Sequence, residues 1–164
     1  MADIGIKLGA EPRVLVLERI FDAPRELVFE AWTRPEHVKN WWGPDGFSLP
    51  SCEQDFRVGG AFRFNMRAPD GSDHWVSGRY QEITRPEAIA FTWVREDEPG
   101  KVWCRTSVRV TFADEDGRTR FRLRQAEFET LAYCEDHRGG WTETLGRLDE
   151  YVQELTKISG RAKL

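Results

Sequence analysis

The chain lacks most of the spacings that announce a particular chemistry. Its three cysteines, Cys52, Cys104 and Cys134, are odd in number, far apart and without a CxxC pair. That excludes a zinc ribbon and a disulfide framework. The three histidines, His37, His74 and His137, show neither HxxxH nor HExxH spacing, so no metal site is expected. There is no GxSxG elbow, no P-loop and no GxGxxG, so the usual signals of serine-based hydrolysis and nucleotide binding are missing. A basic excess is missing too. A net charge of −4 and a pI near 5.5 leave no footprint for nucleic acid. No run of about eighteen apolar residues occurs, and no apolar segment follows a basic start. The expectation is a soluble, reduced, cytoplasmic protein that spans no membrane and needs no metal or organic cofactor.

What is abundant is aromatic: seven Trp and ten Phe among 164 residues. Such a content favours either a core with wide, rigid walls or a pocket lined by rings. The length suits one domain, placed over residues 13–158, with a loose leader over 1–12 and a tail over 159–164.

The most ordered stretch runs from His137 to Ile158. Trp141, Leu145, Leu148, Val152 and Leu155 recur at helical spacing, with Glu143, Arg147, Glu150 and Glu154 facing away. Gly160 is expected to stop this helix. A first strand is read over Val14–Phe21, and Pro24 and Pro35 then open two short helices. From Phe47 onward the period turns to two: Phe62, Phe64 and Met66 alternate with Arg63, Asn65 and Arg67, and Ile89, Phe91 and Trp93 with Ala90, Thr92 and Val94. Gly59-Gly60 reads as a two-residue hairpin turn, and Glu96 to Gly100 as a solvated acidic loop. The fold class is therefore α+β: a curved antiparallel sheet wrapped around a long C-terminal helix, with two short helices after the first strand.

At this point the residues resemble a known family. Phe21-Asp22-Ala23-Pro24, Pro35-Glu36, Trp41-Trp42-Gly43-Pro44, Gly59-Gly60, Gly78 with Tyr80, Phe91-Thr92-Trp93 and His137 with Gly140-Trp141 occur in this order. Together they resemble the START-like (SRPBCC, birch-pollen-allergen-like) superfamily with its helix-grip fold. Within it they resemble the AHSA-like, polyketide-cyclase-like branch related to the activator of the heat-shock-protein-90 ATPase. The resemblance implies a cavity between sheet and helix that holds a small hydrophobic molecule. Its alternatives are a polyketide cyclase or aromatase, and a stress-response module that activates a chaperone. Either a monomer or a weak homodimer is compatible with the pattern.

If each strand's apolar parity faces the helix, the cavity lining includes Phe62, Phe64, Met66, Val76, Tyr80, Phe91 and Trp93 from the central strands. Val108, Phe121 and Leu123 follow from the last hairpin, with Leu145 on the helix. Trp32, Trp41, Trp42 and Trp141 are placed around the mouth. Cys104, Thr106 and Gln125 share the inward parity, and with Tyr80 they are the polar groups available to orient a ligand. A cyclase needs such groups to converge, and Tyr80, Thr106, Gln125 and Arg19 are the supply. No catalytic residue is assigned. Arg19, a charge in an apolar strand, calls for a partner, with Glu82 or Glu127 in view. Asp55 and Arg57 share a strand face, and Arg63 or Arg67 is expected to pair with Asp55.

Overall fold

A computed structural model of the chain describes residues 13–162, so the leader expected over 1–12 lies outside the described residues. The elements are β1 (Leu15–Phe21), α1 (Arg25–Glu30), α2 (Pro35–Val38), β2 (Ser48–Gln54) and β3 (Ala61–Arg67). They continue with β4 (Asp73–Thr84), β5 (Ala88–Glu98), β6 (Lys101–Glu115), β7 (Arg118–Ala126) and α3 (Leu131–Ala162). The strands form one antiparallel sheet in the order β1-β7-β6-β5-β4-β3-β2. The sheet grips α3, a helix-grip fold.

Alternation decides which face is inside. In β6 Cys104, Thr106, Val108, Val110 and Phe112 are buried, and in β7 Thr119, Phe121, Leu123 and Gln125, while the arginines between them are exposed. Register shifts at Tyr80/Glu82 and around Glu96 mark bulges that bend the sheet. Gly78 allows the closest approach within it: an added Cβ would sit 1.8 Å from the Thr92 carbonyl oxygen. α1 packs on β6 through Phe29 and Phe112, rings 5.3 Å apart, and α2 reaches α3 through His37 and the Tyr151 hydroxyl, 2.6 Å apart.

α3 is longer than the periodicity indicated. It begins at Leu131, capped by Thr130, whose Oγ1 accepts from the Tyr133 amide at 3.0 Å. Its buried stripe of Trp141, Leu145, Leu148 and Val152 extends back through His137 and Cys134. Leu145, Leu148 and Val152 each contribute roughly 1.5–3 kcal/mol by leaving water. Gly160 does not end the helix, because a helical glycine only weakens it.

Several side chains find other partners than expected. Arg19 keeps the inward parity of Leu15 and Phe21 but lies at the edge of the sheet, where α3 offers Asp149 at 3.1 Å. Glu82 instead pairs with Arg109 across the outer face, and Glu127 accepts from Ser107. Asp55 pairs with Arg57 itself, because β2 ends at Gln54 and residues 55–60 form a longer connection than a two-residue turn. Arg63 goes to Glu96 and Arg67 to Asp73. Glu96 is thus buried and bonded, its other oxygen accepting from the Gly100 amide at 2.8 Å, and the acidic loop shrinks to the turn after β5.

Candidate functional site

Rings fill most of the groove between sheet and helix. Trp32, which follows α1, is their hub: it lies 4.8 Å from Trp41, stacks on Phe121 at 5.8 Å and stacks on Trp141 at 6.3 Å. Phe62 lies 5.1 Å from Phe64, 5.5 Å from Tyr80 and 5.6 Å from Phe91. Val76, Val108, Leu123 and Leu145 complete this packed interior. The void left beside Trp32, Tyr80 and Phe91 is about 10 Å³, room for one water at most.

The inward polar groups are bound to one another or to the backbone. Gln125 Nε2 donates to Thr106 Oγ1, and Trp141 Nε1 donates to Gln125 Oε1, both at 2.8 Å. The Tyr80 hydroxyl accepts from Gln54 Nε2 at 2.9 Å, and burial raises its pKa. With Arg19 on Asp149, the four groups a cyclase would bring together stand in three separate places. Cys104 is buried, and desolvation pushes its thiol up to about 11, so it stays protonated at neutral pH and is a poor nucleophile.

The space lies at the open end of the groove. A cleft of about 380 Å³ forms where the ends of β3, β4 and β5 face the first half of α3, closed on a third side by the Trp42–Phe47 segment. Of the residues expected to line a cavity, Trp42, Met66, Trp93 and Trp141 line this one. Trp93 lies 5.2 Å from Trp141, and Trp42 lies 5.6 Å from Trp141 at 74°. Phe47, Pro44, Gly139, Gly140 and Thr144 add to the wall, and His74, Arg95, Asp136, His137 and Glu143 bring polar groups.

Those polar residues were within reach of the same parity argument. His74 lies opposite Met66 in register, and Arg95 follows Ile89, Phe91 and Trp93 by one more step of two. Parity carries these groups to the inner face just as it carries Thr106 and Gln125. His137 lies in the second turn of α3. Its Nε2 accepts from Trp93 Nε1 at 3.1 Å, so the proton sits on Nδ1 and is donated to the Tyr133 carbonyl at 2.8 Å. Burial lowers its pKa, and the neutral ring is locked as part of the wall.

The Trp42–Phe47 segment is strapped to α3. Arg147 Nη1 donates to the carbonyls of Trp42, Gly43 and Pro44 at 3.3, 2.9 and 3.0 Å. The Asp45 amide donates to Glu143 at 3.0 Å. Arg147 and Glu143, read as a solvent face, instead set the position of one wall. Among the described residues no group of three His, Cys, Asp or Glu is placed to hold a metal ion, and no helix is long and apolar enough to cross a membrane.

Residues 22–153 match the family model of activator of Hsp90 ATPase homolog 1-like proteins. The chain belongs to this family. Among solved structures, protein CV1439 from Chromobacterium violaceum is 28% identical, with a TM-score of 0.79 over 87% of this chain and 98% of that one. The AHSA1 (SPO3351) protein from Silicibacter pomeroyi is 26% identical, with a TM-score of 0.76 over 88% and 99%. CalU16 from Micromonospora echinospora, 23% identical with a TM-score of 0.64 over 90% and 82%, shares the fold. No curated protein matches. In this AHSA1-like chain the Trp41-Trp42-Gly43-Pro44 and Gly140-Trp141 motifs meet across the cleft: an added Cβ at Gly140 would lie 3.8 Å from Pro44 Cγ.

Proposed function

We propose that this AHSA1-like domain binds a small, largely aromatic or hydrophobic molecule in the cleft between the open end of the sheet and the first half of α3. The observation that carries the reading is a cleft of about 380 Å³ walled by three indoles, Phe47 and Met66, beside a groove that is otherwise filled. Its size falls in the range of small-molecule sites, and apolar walls with a few polar groups are their usual make-up. The N–H groups of Trp93 and Trp141 are bonded within the wall, which leaves ring surface for apolar contact.

The test is a thermal-shift and tryptophan-fluorescence screen of aromatic and aliphatic small molecules on the wild type and on Gly140→Phe, which fills the cleft. A ligand at a hundred times its Kd adds about 2.7 kcal/mol, roughly five to ten degrees for this size. Binding that disappears in Gly140→Phe supports the reading. Shifts equal in both proteins, or none in either, overturn it.

A further inference from the structure

Arg95 is the unexplained group in the cleft. The row across the sheet at its level reads Phe64, Val76, Arg95 and Cys104 by strand register. A guanidinium thus occupies an inward position among apolar neighbours, two residues beyond Trp93. It lies over the Trp103 ring at 5.0 Å. Its Nε is buried without a hydrogen-bond partner. Among the described residues no carboxylate comes within ion-pair distance of it, whereas Arg19, Arg63 and Arg147 each hold a partner. A buried, charged donor left unpaired is costly, so an unpaired guanidinium on a cleft wall is a group prepared for an acceptor.

The surroundings favour a negative acceptor. His137 is neutral with both ring nitrogens bonded, and burial, with a smaller contribution from the positive charge of Arg95, lowers the pKa of both His74 and His137. Glu143 is engaged by the Asp45 amide, and Asp136 is an exposed rim residue. Two carboxylates, Asp136 and Glu143, thus stand at the edge of the cleft, and the charge of Asp136 acts on Arg95. Neither bonds the guanidinium, which is the cation of the lining amid a wall made mostly of rings.

We propose that the cleft selects hydrophobic carboxylates: the ligand's carboxylate is received by Arg95 and its aromatic or aliphatic body lies among Trp42, Trp93 and Trp141. The inference rests on the cleft being a ligand site and adds the ligand's charge. Planar guanidinium and carboxylate match geometrically, and the pair is shielded from water by the indoles.

The experiment compares matched pairs of equal shape, benzoate with benzamide, 2-naphthoate with 2-naphthamide and octanoate with octanamide, by calorimetry at pH 7.5. The acid of at least one pair is expected to bind about ten- to a hundredfold tighter than its amide. In Arg95→Met that preference falls to about one while amide affinity is kept, and in Arg95→Lys part of it returns. Equal or better binding of the amides to the wild type overturns the inference and leaves the cleft as a site for neutral ligands. An acid preference that survives in Arg95→Met overturns the assignment to Arg95. Should Arg95→Met fail to fold, the wild-type ratio and Arg95→Lys decide. Silence from every acid and every amide removes both this inference and the binding reading beneath it.

Discussion

Gly139 and Gly140 lie inside α3, where each glycine costs about 0.5–1 kcal/mol relative to alanine. Packing does not demand them. A Cβ at Gly139 would meet nothing within 4 Å, and one at Gly140 only Pro44 Cγ at 3.8 Å. Both line the cleft, so their smallness keeps it open at the expense of the helix. Gly139→Ala and Gly140→Ala should each raise Tm, by roughly two to four degrees per kcal/mol gained. A lower Tm for either would show that the backbone there needs glycine. His137 makes a second residue-scale prediction. Its folded pKa lies below the unfolded value near 6.5, chiefly through burial, and His37 and His74 shift the same way. The unfolded chain therefore binds more protons, so stability is full above about pH 6.5 and declines as pH falls below it. Urea melts at pH 7.5 and 5.5 should show this loss, and His137→Asn, which keeps a donor for the Tyr133 carbonyl, should flatten it. An unchanged slope in that variant would place the effect on the other two histidines.

Two arginine contacts between α3 and the rest of the fold differ in kind. The Arg19–Asp149 pair has side chains exposed by 36% and 32%, so solvent screens it. Arg19→Met should cost under about 1 kcal/mol. Arg147 is half-buried and serves three carbonyls of the Trp42–Pro44 segment at once. Arg147→Met leaves those acceptors without their donor and should cost about 1.5–3 kcal/mol. It should also loosen one wall of the cleft and weaken ligand binding. Equal melting temperatures for the two variants would refute this ranking. Element by element, the sequence was read well where period and parity were strong: β3, β5 and the central turns of α3 needed only spacing. The helix start at Thr130 was missed because the turns before His137 give the buried stripe a single residue, Cys134, too little for a helical period to show. The 55–60 connection was missed because Gly59-Gly60 looks like a complete turn, although only Gly59 has positive φ, at 87°, and Gly60 is required by closeness to the Asp55 carbonyl.

On the scale of the whole molecule, one groove has two unlike ends, and sequence alone could not separate them. The parity argument places Phe64, Tyr80 and Phe91 on the same face as Met66 and Trp93, and nothing in spacing says which rings meet each other and which leave a gap. That depends on Trp32, a residue from outside the sheet that enters the groove and touches Trp41, Trp42, Phe91, Phe112, Phe121 and Trp141. Trp32 plugs the deep end and is not among the residues lining the cleft. Stability and binding should therefore separate between two substitutions. Trp32→Ala opens the deep end and should cost about 3–5 kcal/mol, a large share of the 5–15 kcal/mol typical of a domain. The cleft ligand's affinity should change little if enough folded protein remains to titrate. Gly140→Phe should do the reverse, removing binding while Tm moves by only a few degrees. Chemical denaturation and calorimetry on both proteins test the pair together. If each variant damaged stability and binding alike, the two ends would be one continuous cavity, and the distinction between plug and cleft would fall.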